Sequence, residues 1–228
     1  MGTFLTIVVS LVFLFTFAAM IKEFEDILKK VSALYRKYGI KSVTMDDVAH
    51  ELGMSKKTLY QFVSDKTELV QMVVEHVRQC DFSAMKKKEG TELNAIEEMI
   101  EVSQHVNSLM KDHSPTYEYD LKKYYPDIYR NLMSARRKLM YEAMIANIRK
   151  GKKEGLYRKE LDEKIIAKLH LLRVENIQSS EIFGEEEMHS QNFFREVFVY
   201  HIHGLATEKG LRVFRDNIGK LDLLKKHY

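Results

Sequence analysis

The chain has 228 residues, 45% of them hydrophobic and 30% charged, with two prolines and no tryptophan. That length suffices for a buried core in one or two domains, and that balance fits a soluble, helix-rich protein rather than a disordered one. The formal net charge is only +3, which excludes a global polycation, so any nucleic-acid site has to come from local placement of Lys and Arg.

A single cysteine, Cys80, rules out an intrachain disulfide and fits a reducing, cytoplasmic setting. At the end of an apolar helix it is expected to be packed rather than reactive.

The opening stretch, MGTFLTIVVSLVFLFTFAAM, carries no charge in its 20 residues. Phe4 to Ile21 would make a helix of about 27 Å, the lower limit for crossing a bilayer. It lacks the basic start of an export signal. Lys22, Lys29, Lys30, Arg36 and Lys37 follow it, so a tether here would leave the rest of the chain in the cytoplasm.

Beyond this point the chain reads as helix throughout. Ile27, Val31, Leu34 and Tyr38 recur at three- and four-residue steps as one inner face, and Gly39 stops that helix. Short helices are expected over 44–52 and 55–62 around Gly53, then a longer one over 65–80 with Leu69, Met72, Val73, His76 and Val77 inward. The run Lys86, Lys87, Lys88, Glu89, Gly90 reads as a loop or break. Further helices are expected over 91–111, 117–124, 127–150, 161–183 and 190–215. Breaks fall at His113-Ser114-Pro115, at Pro126, from Gly151 to Gly155, and at Gly184. No strand alternation and no internal repeat interrupts the pattern, so the expected class is all-α.

Residues 44–69, TMDDVAHELGMSKKTLYQFVSDKTEL, carry the sharpest signal. Thr44 suits an N-cap, with Asp46 and Asp47 in the first turn where the helix dipole favours negative charge. Ala49 is small enough for a second helix to approach. Gly53 supplies the left-handed conformation of a tight turn, and Leu59 plugs the space between the helices. Ser55 caps the second helix, whose first turn holds Lys56, Lys57 and Thr58. A recognition helix presents side chains to the major groove from that position. The plain alternative is a helical hairpin with a glycine turn, which would not need two caps and a basic, hydroxyl-bearing second N-terminus.

This segment resembles the DNA-binding domain of TetR/AcrR-family transcriptional regulators. Leu59-Tyr60, Val63 and Lys66 stand where that family has its Leu-Tyr, its aromatic or Val, and its Lys, and the helix ending in Tyr38-Gly39 matches the family's first helix. YYPDIYRNL and GKKEGLYRKELD are similar, more loosely, to segments around the family's sixth and seventh helices. The resemblance implies a three-helix helix-turn-helix DNA-binding module over 21–68 and a helical ligand-binding and dimerisation domain over 69–228, after an apolar extension over 1–20. It also implies that Ser55, Lys56, Lys57, Thr58 and Gln61 meet base edges or nearby phosphates, that Tyr60 meets a phosphate through its hydroxyl, and that Thr44 and Lys66 grip the backbone. Lys gives phosphate charge, while Gln and Thr can read base edges. Phe62 departs from relatives with a polar ring and is read as packing; Lys41 is a further phosphate candidate. The family begins shortly before its first helix, so Met20 is the expected start, with the true anchor over 4–21 as the alternative.

Residues 91–228 show no phosphate loop, no Cys-x-x-Cys, no nucleophile elbow and no acid–base or metal constellation. An all-helical enzyme, the weaker alternative, would need such a constellation, and no cofactor is expected. His201 and His203 point about 200° apart on a helix and would not share a metal. Tyr117, Tyr119, Tyr124, Tyr125 and Tyr129 gather around Pro126, followed by Met133, Met140 and Met144. Such side chains suit an adaptable apolar pocket as well as a core. Because the resembled family binds a small inducer in this domain, Tyr117, Tyr125, Tyr129, Met133 and Met140, with His105 and Arg136 as polar points, are the expected ligand residues.

Two apolar stripes remain: Ile165, Ile166, Leu169, Leu172 and Ile177, and Phe193, Phe194, Val197, Phe198, His201 and Leu205. The resemblance assigns the helices over 161–183 and 190–207 to a homodimer, and hence a roughly palindromic operator DNA. The expected protein is a cytoplasmic, ligand-responsive repressor. A membrane-tethered DNA-binding sensor, or a DNA-binding protein that recruits a partner without a small ligand, would use the same module.

Overall fold

The computed structural model describes residues 24–86, 92–111, 114–177, 182–188 and 190–218. The apolar opening and the Lys87–Gly90 part of the expected basic break lie outside the described residues. Among the described residues, helices account for the secondary structure, with one isolated antiparallel bridge between Tyr157 and Ala206. They are α1 (24–38), α2 (Met45–Glu51), α3 (Lys56–Leu59), α4 (Lys66–Lys86), α5 (Ala95–Lys111), α6 (Pro115–Tyr124), α7 (Pro126–Lys153), α8 (Glu163–Ile177), α9 (Glu185–Met188), α10 (Gln191–Leu205) and α11 (Glu208–Asn217). No described helix is long and apolar enough to cross a membrane.

The chain divides into two compact units. The first holds α1 to α4 as far as Ala84, α6, and α7 as far as Leu132. The boundary expected near residue 69 does not coincide with this division, because α6 returns to the N-terminal helices. The first core is built from Ile27, Leu28, Val31 and Tyr35 of α1, Val48 and Ala49 of α2, Leu59, Leu69, Val70 and Val73, with Leu121 of α6. Tyr35, not Tyr38, is the buried ring of α1: Tyr38 is half exposed. Leu28 and Tyr35 shift the inner stripe by one residue from the expected one, a step the 3.6-residue period tolerates.

Gly39 ends α1 with φ +84° while its N–H donates to the Tyr35 carbonyl at 2.9 Å. Just beyond it, the Lys41 N–H donates to the buried Asp120 carboxylate at 2.7 Å, and the Ser114 hydroxyl donates to the Arg36 carbonyl at 2.8 Å. Two hydrogen bonds between residues remote in sequence thus fasten α6 to the end of α1.

The second unit holds α5, α7 from Met133 onward, and α8 to α11. Its core joins Ile96, Met99 and Ile100 to Met144, Ile145 and Ile148, closed by Tyr157, Ala167, Phe198, Ile202, Leu205 and Phe214. Two expected boundaries move. α5 starts at Ala95 because Asn94 Oδ1 accepts the N–H groups of Ile96 and Glu97. α7 runs through Gly151, and the chain turns at Gly155, where φ is +73°.

The helix expected over 190–215 is broken. α10 stops at Leu205, Ala206 is extended, and the Thr207 hydroxyl accepts the Gly210 N–H to start α11. The break is tertiary in origin: the Arg158 N–H donates to the Leu205 carbonyl and the Thr207 N–H to the Leu156 carbonyl, at 2.9 and 2.8 Å. α8 is described only to Ile177, and the expected continuation over 178–181 lies outside the described residues.

Candidate nucleic-acid interface

The caps of the α2–turn–α3 segment form as their residue types require. Thr44 and Asp47 make a reciprocal capping box: the Thr44 hydroxyl accepts the Asp47 N–H at 3.1 Å, and Asp47 accepts the Thr44 N–H at 2.7 Å. Hydrogen bonds from the Thr44 hydroxyl and N–H hold the Asp47 carboxyl below its ordinary range. Gly53 turns the chain with φ +67°, outside the range a Cβ tolerates readily. Met54 N–H then donates to the Ala49 carbonyl at 3.0 Å, which closes the turn on the small residue.

Ser55 Oγ accepts the Thr58 N–H at 3.0 Å, and the two hydroxyls lie 2.7 Å apart. The regular α-helix that follows is only four residues, shorter than the expected 55–62. Beyond Leu59, Gln61 and Phe62 donate three residues back, to Thr58 and Leu59, so the chain continues as a tighter turn. Leu59 is fully buried as the plug between the helices. Phe62 stacks on Phe24 with centroids 5.9 Å apart, in keeping with packing rather than phosphate contact.

The outward side is polar and basic. Lys56, Lys57, Tyr60 and Gln61 are exposed, while Thr58 is half-buried. Lys56 is engaged by Asp46, its Nζ 2.9 Å from Oδ2, and the sequence reading missed that pairing. At the edge of the module, Lys66 begins α4 with its Nζ 3.5 Å from the Lys41 carbonyl. Burial, and then the charge of Lys41, lower its pKa from the ordinary lysine value. All eight residues expected at DNA fall within the first unit. The arrangement can hold phosphates with point charges and hydroxyls beside a short helix aimed outward.

Residues 27–73 match the sequence model of the bacterial regulatory proteins of the tetR family. Over these residues the chain is similar to that family. No curated protein matches it. Among solved structures, the chain is similar to a transcriptional regulator from Cytophaga hutchinsonii, at 20% identity and TM-score 0.65, over 81% of this chain and 98% of that one. A transcriptional-regulator structure from Saccharomonospora viridis in complex with choline is 17% identical, with TM-score 0.65, over 80% and 96% of the two chains. A TetR-family regulator from Agrobacterium tumefaciens is 14% identical, with TM-score 0.60, over 82% and 98%. At these identities the likeness is one of fold.

The seven expected ligand residues divide between the units. Tyr117, Tyr125 and Tyr129 pack against the first core, and burial raises the Tyr125 pKa. His105, Met133, Arg136 and Met140 belong to the second unit, where Arg136 is exposed and the others are half-buried. His105 Nε2 is buried without a hydrogen-bond partner among the described residues. None of the seven lines the two clefts found in the second unit, which involve α8, α10 and α11.

Two features escaped the sequence reading. His170 and His201 face each other across α8 and α10 with ring centroids 4.9 Å apart, and Arg173 reaches His170 Nδ1 at 3.0 Å. Burial, then the Arg173 charge, hold His170 down at about 4 and His201 at about 2. Cys80 is exposed rather than packed, with its Sγ 3.6 Å from His76 Nε2. The apolar positions preceding Cys80 gave the wrong expectation, since the helix turns this residue outward.

Proposed function

We propose that the chain is a cytoplasmic, ligand-responsive repressor that binds a roughly palindromic operator as a homodimer. The observation that carries this reading is the α2–turn–α3 segment, which sets Lys57, Tyr60 and Gln61 outward around the buried Leu59 plug. Lys57 and Gln61 are the base-edge and phosphate contacts, with Thr58 beside them. Thr44, Tyr60 and Lys66 hold the backbone. Ser55 serves through its cap, and Lys56 contributes charge once it leaves Asp46.

Dimerisation is supported by α8, which leaves Ile165, Leu169 and Leu172 more than half exposed, at 56%, 54% and 59%. Tyr200 of α10 is 80% exposed. Apolar side chains of that size in one stripe call for a cover. A two-fold dimer built there would repeat the recognition helix at a spacing related to the DNA turn.

The ligand reading draws support from the choline complex of one similar structure and from the unpartnered His105 Nε2. His105, Tyr117, Tyr125, Tyr129, Met133, Arg136 and Met140 are the residues to vary. Ligand would favour a state in which α4 tilts and the DNA modules leave operator spacing, and DNA would weaken ligand binding by the same factor.

Selection of bound duplexes from random DNA by the full chain tests the reading. An inverted repeat is expected; recovery of no enriched sequence would overturn it.

A further inference from the structure

α6 ends in Lys122, Lys123 and Tyr124, residues that no part of the helix-turn-helix accounts for. The Asp120 carboxylate, by accepting the Lys41 N–H at 2.7 Å, brings the segment after α1 against this end of the helix. Lys41 Nζ consequently lies over the Tyr124 ring, 4.8 Å from its centroid. Lys123 Nζ lies 5.4 Å from the same centroid and donates to the Tyr119 hydroxyl at 2.7 Å. Lys66 Nζ reaches the Lys41 carbonyl at 3.5 Å. Three ammonium groups, Lys66, Lys41 and Lys123, thus follow one another along one side of the first unit, with Tyr124 between the last two.

None of the three forms an ion pair with a carboxylate among the described residues. Two carboxylates act on Lys66 through their charge, Asp120 and Asp47, and each is also held by hydrogen bonds, Asp120 from the Lys41 N–H and Asp47 from the Thr44 cap. Tyr119 and Tyr124 are exposed rings whose faces hold the lysine heads in place. Three ammonium groups beside these two carboxylates leave an excess of positive charge, which a polyanion can complete. The row begins at Lys66, already the edge of the proposed DNA contact. A duplex lying on α3 and α4 is therefore the polyanion nearest to hand.

We propose that Lys123, Tyr124 and Lys41 form a second strip of the DNA-binding surface, gripping backbone phosphates outside those reached by Thr44 and Lys66. The proposal rests on the DNA-binding reading above. Lysine supplies a point charge and tyrosine a hydroxyl donor, neither of which reads a base here, so the strip adds affinity without sequence preference. It would lengthen the footprint on the side where α6 abuts the segment following α1.

The test measures binding of the full chain to a selected operator duplex by fluorescence anisotropy between 50 and 200 mM salt, on one duplex with long flanks and one trimmed to the operator. Lys123→Ala is expected to reduce the salt slope on the long duplex by about one unit. The ratio of wild-type to variant affinity then changes about fourfold across that range. Lys123→Arg keeps the slope, and the trimmed duplex shows no difference between wild type and Lys123→Ala.

A wild-type slope for Lys123→Ala on the long duplex, with Lys57→Ala still weakening binding, would overturn the strip and leave the DNA reading standing. A loss that persists on the trimmed duplex would reduce Lys123 to a general charge effect and also overturn it. Binding insensitive to Lys57→Ala and Lys123→Ala alike would remove the DNA reading and the strip together. Retention of phosphatidylserine vesicles that depends on Lys123, with DNA binding unchanged, would reassign the strip to a membrane surface.

Discussion

The ring of Tyr157 lies on Gly151 so closely that a Cβ at Gly151 would stand 2.1 Å from Cδ2. The Tyr157 hydroxyl donates to Asn147 Oδ1 at 3.0 Å, and Asn147 Nδ2 donates to the Ala95 carbonyl at 2.9 Å. A glycine inside α7 therefore makes room for the group that ties α7 to α5. Gly151→Ala should destabilise the chain by about 1–3 kcal/mol through overpacking of this contact. Chemical denaturation would show it; an unchanged midpoint would mean that the ring can move aside at no cost.

Tyr157→Phe separates the hydrogen bond from the packing. The ring remains, but Asn147 Oδ1 loses its donor in a buried place. The expected cost is about 1–3 kcal/mol, the usual penalty for an orphaned buried acceptor. Equal stability of the two proteins would show that Asn147 finds another partner.

The elements that were legible in the sequence are those held by local chemistry. Thr44 with Asp47, Ser55 with Thr58, and the Ala49–Gly53–Leu59 spacing all act within a few residues, so type and spacing sufficed. The break at Ala206 was not legible, because it is imposed by residues 156–158, remote along the chain. The same holds for Tyr124 beside Lys41 and for His170 against His201: neither helix alone announces its partner. Tyr35 and Tyr38 show a subtler limit. Both fit an apolar face of α1, and only the neighbouring helices decide which ring is covered.

Acidic loss of stability should have an identifiable source. His170 and His201 are held well below the ordinary 6.5, at about 4 and about 2, so the folded chain binds fewer protons than the unfolded one in that interval. Their depressed pKa values leave stability intact above 6.5, and stability falls as pH drops from 6.5 toward 4. The slope is up to about 1.4 kcal/mol per pH unit for each imidazole. His201→Gln should flatten that part of the profile. A variant as pH-sensitive as the parent would move the effect to other groups.

Asp46 should restrain DNA binding. Its carboxylate holds Lys56 Nζ at 2.9 Å on an exposed surface, which keeps one cation of α3 occupied. Asp46→Asn removes a negative charge beside the proposed interface and frees Lys56. Binding to any duplex is expected to tighten, with the salt slope steeper by about one unit. Anisotropy titrations on operator and random duplexes would measure both. Weaker binding by Asp46→Asn would show instead that Asp46 positions Lys56 for its contact.

The exposed stripe of α8 offers the sharpest test of assembly. Leu172 is 59% exposed and Leu169 54%, so replacing either by Asp disturbs little within one chain while placing a charge where a partner should lie. Burying an unpaired carboxylate costs far more than the lost apolar contact. Leu172→Asp should therefore sediment as a monomer at micromolar concentration, with the helical content of the parent. Operator affinity should fall with it, because a monomer engages one half-site at a time. A parent chain that is itself monomeric at that concentration would remove the dimer from the proposed mechanism. A Leu172→Asp dimer would move the interface away from α8.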